Sequence, residues 1–207
     1  ARGEDGGDSG INTPHTNNNT DSGAAYVFER NQGTWVETTK IKSSNPDEFD
    51  FFGISTDIAA NRIIIGCNGE DSASTGVGGD QGNNFGSGGN SGAVYSFVRA
   101  GNSWAQESYI KAPNTGSSDQ FGVGVALTGQ YMIVGAWEED SSSFGVDGDQ
   151  LNNSAPAAGA AYVLSLQACE GWSHLSYLKA SNAEAADNFG LSVALGDGFA
   201  VVGAPNE

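Results

Sequence analysis

Basic residues, cysteine, proline and long apolar runs are all scarce in this sequence of 207 residues. Lys and Arg number 8 against 25 Asp and Glu, so the formal charge is −17. Such a surface repels nucleic acid phosphates and anionic lipid. The longest apolar runs, such as 63–65 and 131–134, have the length of a strand and are too short to span a membrane. Only 5 prolines accompany 31 glycines, which excludes collagen and proline-rich linkers.

Two cysteines are too few to form a disulfide framework. Cys67 ends one predicted strand, and Cys169 lies in a turn between two later strands. These places fall on opposite rims of the predicted unit, so we expect two free thiols. Cys67 replaces an alanine at a small, buried position, which predicts an unreactive side chain.

An internal repeat of about 68 residues dominates the sequence and occurs three times. Several marks recur in a fixed order within it. They are Phe-Gly at Phe52, Phe121 and Phe189; a later glycine at Gly66, Gly135 and Gly203; Gly-Ala-x-Tyr from Gly23, Gly92 and Gly159; and single residues at Trp35, Trp104 and Trp172, at Lys42, Lys111 and Lys179, and at Asp50, Asp119 and Asp187. This regularity indicates one structural unit repeated along the chain.

Each unit predicts four short strands and no helix. In one copy the strands cover 123–127, 131–135, 160–166 and 172–179, where Val, Ile, Tyr and Trp alternate with polar residues between Gly- and Asn-rich turns. Four antiparallel strands per unit without crossover helices are typical of the blades of a β-propeller. The predicted fold class is therefore all-β, with three four-stranded blades that form part of a larger or oligomeric propeller.

The Phe-Gly starts and the segment Gly203-Ala204-Pro205 resemble the FG-GAP repeats of integrin α-subunit propellers. Longer bacterial surface versions of the repeat look closer still. The resemblance covers nearly the whole chain, and it implies a propeller in an extracellular or cell-surface protein that acts in adhesion. It is much less specific for activity than for fold.

The repeat frame divides the chain into 1–46, late strands of a split blade; 47–115 and 116–183, two whole blades; and 184–207, early strands of the split blade. Both ends fall in the same loop type and overlap by about four residues. Three blades are too few for an ordinary ring. In one interpretation, the chain's own ends complete the split blade and two chains together form about six blades. In the other, the chain is a segment of a longer array of blades. The overlap of the two ends favours the second interpretation. Head-to-tail contacts that build a ring or a fibre are a third interpretation.

The long loop between the second and third strands of each unit is rich in Asp, Asn, Gly and Ser. Loops near twenty residues are uncommon without something that orders them, and carboxylate and amide oxygens suit Ca²⁺. The predicted calcium ligands are Asp71, Asp80 and Asn83; Asp140, Asp149 and Asn152; and Asp5 and Asp8. The competing interpretation is that these residues form turns by bonding their own backbone.

In integrins the calcium motif lies between the first and second strands. Here that connection is only 59–61, 128–130 or 196–198, too short to wrap an ion, so the integrin-type site is absent. The aspartates before Phe-Gly are expected to accept backbone hydrogen bonds in a turn. The repeated lysines are expected to pair with carboxylates between blades, and the repeated tryptophans to pack between neighbours. Trp137 has no counterpart and is predicted to be an exposed contact residue at the loop rim.

Catalysis has little support in the sequence, because neither His15 nor His174 recurs and the acidic pairs are ordinary for an exposed rim. The predicted function is non-enzymatic recognition of a protein or glycan by an extracellular module. The alternative is a structural subunit of a fibre or surface layer assembled through the split blade. Homo-oligomers or further blades are expected as partners, and nucleic acid is not.

Overall fold

A computed structural model describes residues 1, 3–86, 88–196 and 198–207. All regular elements within this part of the chain are strands. They are β1 (Ala25–Asn31), β2 (Thr34–Ile41), β3 (Thr56–Ala59), β4 (Arg62–Cys67), β5 (Ala93–Ala100), β6 (Ser103–Ile110), β7 (Val125–Leu127), β8 (Tyr131–Ala136), β9 (Ala160–Gln167), β10 (Gly171–Leu178), β11 (Ser192–Gly196) and β12 (Phe199–Gly203). The described residues include no helix long and apolar enough to cross a bilayer.

The strands form two four-stranded antiparallel sheets and two hairpins. One sheet has the order β3-β4-β5-β6 and the next has the order β7-β8-β9-β10, while β1-β2 and β11-β12 each stand as a pair. The all-β class and the four-stranded antiparallel blades predicted from the repeat are therefore confirmed. The sheets formed by the described residues do not close into a ring.

Each Phe-Gly ties one blade to the next through a parallel bridge. Gly23 bridges Phe52, Gly92 bridges Phe121 and Gly159 bridges Phe189. The rings of Phe52 and Phe121 are fully buried. Each packs edge-on against a tyrosine of the third strand at a centroid distance of 5.4 Å. An aromatic pair at this distance adds to the stabilisation that burial itself provides.

The core lies between the sheets. One cluster, which includes Ile41, Phe97 and Trp104, joins the β1-β2 hairpin to the first four-stranded sheet. A second, which includes Ile64 and Trp172, joins the two four-stranded sheets. The prediction that the repeated tryptophans pack between neighbours is confirmed for Trp104 and Trp172.

The recurring glycine of the second strand is required by the contact between blades. A Cβ atom added to Gly66 would lie against the carbonyl oxygen of Gly122, and one added to Gly135 would lie against that of Gly190. Both approaches are far inside van der Waals distance, so the backbones of adjacent blades can meet only where this position lacks a side chain.

The same β-bulge recurs in the fourth strand of every unit. The ladder skips Thr38, Glu107 and Leu175, each of which is an extra residue opposite the third strand. A bulge increases local twist and turns the bulged side chain out of the ladder. Glu107 uses this position to bind Arg62 in its own sheet and to accept a hydrogen bond from Trp172 Nε1 in the next sheet.

Candidate functional site

The long loops and the turns between blades share one rim, which we call the loop rim. It comprises the loops 4–21, 70–90 and 139–157 and the turns 43–50, 112–119 and 180–187. Main-chain hydrogen bonds join each loop to the turn that follows its blade: Phe49 N–H donates to Thr20 O, Ser118 N–H to Gly89 O and Ala186 N–H to Pro156 O. The loops are thus held as one continuous surface by the blade junctions beneath them.

A buried ion pair anchors each loop at its base. Lys111 donates hydrogen bonds to Glu70 Oε2 at 2.8 Å and to Ser91 Oγ at 2.7 Å. Glu70 also accepts from the Tyr109 hydroxyl at 2.7 Å and from the Ser72 N–H at 3.1 Å. Burial lowers the pKa of Lys111, and the adjacent Glu70 carboxylate opposes this shift. A buried pair with this many hydrogen bonds fixes where the loop leaves the second strand.

The other two loops have the same lysine–glutamate pair at their base, and each differs from the first loop at one of the surrounding residues. Lys179 donates to Glu139 at 3.0 Å, but Ala158 stands where the serine would be. Lys42 donates to Glu4 at 2.6 Å. Lys40 takes the place of the tyrosine there and also donates to Glu4, at 2.7 Å. Although burial opposes the shift, these lysines lower the pKa of Glu4 to about 2.

The predicted pairing of the repeated lysines with carboxylates is therefore confirmed, but its expected place between blades is wrong. Lysine and glutamate belong to the same blade, because both flank its third strand. An asparagine reaches across the junction instead: Asn45 Nδ2 donates to Glu70 and Asn114 Nδ2 donates to Glu139. Asn182 makes the corresponding bond to Glu207. Glu4, Glu70 and Glu139 recur once per repeat, as the lysines do, and this recurrence was the signal available in the sequence.

Three of the predicted calcium ligands close their own loops. Asp71 Oδ1 accepts the Asn90 N–H at 2.6 Å, and Asp140 Oδ1 accepts the Ala157 N–H at 2.9 Å. Asp5 Oδ1 accepts the Asp21 N–H at 3.0 Å. In each case the first residues of the loop bind its last residues, so the carboxylate fixes the loop's width.

The remaining predicted ligands also form hydrogen bonds within their own loops. Asp80 Oδ1 accepts from Gly82 N–H, and Asp149 Oδ1 accepts from Leu151 N–H. Asn152 Oδ1 accepts from Ser154, and Asp8 accepts from the Thr16 hydroxyl. The carbonyl oxygen of Asn83 accepts from Ala73 N–H. The contacts of Asp80, Asp149 and Asn152, each to a residue two positions further on, are the turn chemistry that Asp and Asn commonly provide.

Within the residues that the structure describes, no three His, Cys, Asp or Glu side chains gather as a metal site. Calcium binding by the predicted ligands stays a prediction. The short connections at 59–61 and 128–130 are tight turns between paired strands. In the third such connection, Asp197 lies outside the described residues.

The aspartates before Phe-Gly lie in the turns between blades, as expected. Asp50 accepts the Asp47 N–H at 2.8 Å, and Asp119 accepts the Gly116 N–H at 2.8 Å. Asp187 accepts the Glu184 N–H at 2.6 Å. Burial raises the pKa of Asp50 to about 8 and that of Asp119 to about 7. Beside Asp50, a cavity of about 230 Å³ is lined by further acidic groups, which include Asp47 and Asp71.

Trp137 is partly buried, and its indole Nε1 is shielded from solvent. Its carbonyl oxygen accepts a hydrogen bond from Asn188 Nδ2 at 3.2 Å across the blade junction. Trp137 thus lies at the loop rim, as predicted, but its side chain is only partly exposed to solvent. Its role as a contact residue stays a prediction.

Apolar side chains at the loop tips were missed by the sequence interpretation. Phe144, Val146 and Leu151 in one loop are 70%, 65% and 84% exposed. Val77 and Phe85 in the preceding loop are also exposed. Their signal in the sequence was the presence of apolar residues within otherwise polar Gly/Asp/Ser segments.

Both thiols are free, as predicted, with Cys67 buried and Cys169 exposed. Burial raises the pKa of Cys67 well above its ordinary value, which agrees with an unreactive thiol.

A family model described as FG-GAP repeat matches residues 104–164 and 172–207. Each match begins at the buried tryptophan of a fourth strand and continues through the next Phe-Gly. A comparison with curated proteins finds no match. The resemblance read from the repeated residues is thus confirmed for these two segments, which are similar to FG-GAP repeats and whose strands are arranged as expected for β-propeller blades.

Proposed function

We propose that this chain is a non-enzymatic recognition module of an extracellular or cell-surface protein, and that it binds a protein or glycan through the loop rim. The observation that carries the proposal is the exposure of Phe144, Val146 and Leu151 on a rim that is otherwise acidic. All three side chains belong to one loop, 139–157, and exposed apolar patches rimmed by polar residues mark interaction surfaces. They favour a protein ligand over a glycan.

The charge of the chain adds a second criterion for the ligand. The whole chain has 25 acidic and 8 basic residues, so its surface attracts a partner with a basic surface and repels an acidic one. The buried Glu-Lys bases support this role because they hold the loop ends rigidly. A preorganised loop loses less conformational entropy when it binds.

Calcium belongs to the same proposal as an accessory that would stabilise the loops, with Asp71, Asp80 and Asn83 and their counterparts as donors. No step of recognition depends on it. The fold of the loops rests on their own hydrogen bonds, so recognition is expected to persist in a chelator.

The alternative function is a structural subunit assembled through the split blade. The observation that favours it is the 66% exposure of Trp35, whose counterparts Trp104 and Trp172 are buried between blades. An unfilled tryptophan position at a blade surface is suited to another blade.

The test of the loop-rim proposal is a binding screen against immobilised cell-surface proteins and glycans, with and without calcium. The double variant F144S/L151S is expected to lose at least about tenfold in affinity for any ligand found. Tyr131→Ser is the control, since Tyr131 is exposed at the other end of β8. A screen without any binder, or equal losses in both variants, would contradict the proposal.

A further inference from the structure

Lys111, Glu70 and Asn45 form one hydrogen-bonded group at the base of the loop 70–90. The Lys111 ammonium donates to Glu70 Oε2 at 2.8 Å, and the Asn45 carboxamide nitrogen donates to Glu70 Oε1 at 3.1 Å. One carboxylate therefore binds an amine through one oxygen and an amide nitrogen through the other. A carboxylate in this position can carry a proton from the first nitrogen to the second.

A tyrosine hydroxyl binds the carbonyl oxygen of the same carboxamide. Tyr95 Oη–H donates to Asn45 Oδ1 at 2.5 Å. A donor at this place polarises the carbonyl group and stabilises the negative charge that its oxygen acquires when a nucleophile adds to the carbon. The carboxamide of Asn45 thus has an electrophilic donor at its oxygen and a proton carrier at its nitrogen.

The group lies in aromatic surroundings from which water is excluded. The Lys111 side chain is inaccessible and that of Glu70 is 2% exposed. Tyr95 and Tyr109 are also buried, and their ring centroids are 5.3 Å apart. Burial lowers the pKa of Lys111, which favours the neutral amine. A lysine amine that is desolvated in this way is an effective nucleophile.

The same four groups recur in the next blade. Lys179 donates to Glu139 Oε2 at 3.0 Å, and burial lowers its pKa as well. Asn114 Nδ2 donates to Glu139 Oε1 at 3.0 Å. Tyr162 Oη–H donates to Asn114 Oδ1 at 2.7 Å. The amine, the carboxylate, the carboxamide and the hydroxyl are thus kept in both whole blades, although the serine beside the first lysine is not.

We propose that Lys111 and Asn45, and equally Lys179 and Asn114, react to form an intramolecular isopeptide bond. The structure shows the side chains before this reaction. The geometry serves it because one carboxylate gathers the amine and the carboxamide, which replaces an encounter in solution by a reaction between neighbours.

The reaction is an exchange of one amide for another. A proton passes from Lys111 to Glu70, and the free electron pair of Nζ forms a bond to Cγ of Asn45. Glu70 gives this proton to Nδ2 and takes a second one from Nζ, and the Cγ–Nδ2 bond then breaks. The departing ammonia receives the second proton and leaves as ammonium. Glu70 is thereby restored as a carboxylate, and the reaction consumes no oxidant or other reactant.

The bond would tie each blade to the turn that precedes it. Asn45 lies in the turn 43–50 before β3, and Lys111 directly follows β6, so the bond encloses a whole four-stranded sheet in one covalent loop. Such a loop restricts the unfolded chain in the way that a disulfide does. Both thiols of this chain are free. The inference goes beyond the proposed recognition function and does not depend on it.

The intact mass of the folded chain tests the proposal. Each bond removes about 17 Da, the mass of ammonia, so the chain is expected to be about 34 Da lighter than its sequence requires. Lys111→Arg retains the charge without a nucleophilic amine and is expected to be only about 17 Da lighter than its own sequence requires. Asn102→Ser, in the exposed turn between β5 and β6, is the matched control and is expected to show the full loss.

A tryptic digest locates the bond. We expect a branched peptide that joins Asn45 to Lys111, with no cleavage after Lys111. Ammonia is also lost when an asparagine before glycine forms a succinimide, as Asn68 can, but that product gives only linear peptides. The digest therefore distinguishes the two sources of a lower mass.

Glu70→Gln removes the proton carrier and is expected to leave Lys111 unreacted. The bond between Lys179 and Asn114 in the same molecule then serves as an internal control for folding. The full calculated mass in the chain without substitutions, a lower mass without a branched peptide, or an undiminished loss in Lys111→Arg would overturn the proposal. Since none of these outcomes depends on a ligand, recognition by the loop rim is tested separately.

Discussion

The ammonium group of Lys111 and the carboxylate of Glu70 lie 2.8 Å apart at the base of one loop, and both side chains are almost wholly inaccessible. Glu70→Gln is expected to destabilise the fold by about 3–5 kcal/mol, because it leaves a buried ammonium without a counter-charge. Urea unfolding measures the change, with the exposed Glu170→Gln as control. A loss below about 1 kcal/mol would contradict the anchoring role.

The pair Lys179–Glu139 lacks the serine that completes the other two bases. Ala158→Ser is therefore expected to stabilise the fold by about 0.5–1.5 kcal/mol, since the hydroxyl can accept from Lys179 as Ser91 accepts from Lys111. The reciprocal variant Ser91→Ala is expected to cost about 1–3 kcal/mol. Thermal unfolding of both variants tests the prediction. A destabilising Ala158→Ser would show that the third base lacks room for the hydroxyl.

Stability is expected to fall as pH rises from about 4 to 8. The pKa values of Asp50 and Asp119 are about 8 and about 7 in the folded chain and about 3.8 when unfolded. Within this window the folded state binds protons that the unfolded state has released, so raising the pH favours unfolding. Below about pH 4.5 Glu4, with its pKa lowered to about 2, has the opposite effect.

Unfolding free energies at pH 5 and pH 8 measure this dependence. Asp50→Asn is expected to flatten the slope, because the amide oxygen still accepts the Asp47 N–H but no longer titrates. Equal stability at the two pH values in the unmodified chain would refute the assignment. Glu170→Gln serves again as an exposed control.

Substitutions of a loop aspartate can distinguish its role as a hydrogen-bond acceptor from a role in binding calcium. Asp71→Ala is expected to cost about 1–2 kcal/mol by leaving the Asn90 N–H without its acceptor, whereas Asp71→Asn retains the acceptor and costs less. Thermal unfolding with calcium and with a chelator completes the test. A calcium-dependent rise in midpoint that Asp71→Asn abolishes would establish the metal site predicted from the sequence. Equal midpoints in both solutions would exclude it.

The strands and their order could be predicted from the sequence because each repeat imposes the same alternation and the same turn residues. The four strands predicted at 123–127, 131–135, 160–166 and 172–179 agree with β7 to β10 within a few residues. Phe52 and Phe121 recur because a buried ring fills each of these two blade junctions. Local patterns of this kind depend only on neighbours along the chain.

The site was less predictable because its contacts join residues far apart in the sequence. Glu70 and Lys111 are 41 positions apart, and the residues around either one give no sign that the two side chains pair at the base of the loop. The same residue types serve turns and metal sites, so Asp71 could not be assigned from composition. The apolar loop tips, such as Leu151, obey no periodicity. Their exposure is a property of the folded loop alone.

The bulge in the fourth strand has a consequence for how near-identical blades avoid joining in the wrong order. Because the extra residue lies outside the ladder, it can change without disturbing the strand register. The three units place Thr38, Glu107 and Leu175 there, and Glu107 accepts a hydrogen bond from Trp172 of the blade that follows. Blades with the same fold can therefore differ in the side chain at the bulge that faces the next blade, and a blade next to the wrong neighbour loses that contact.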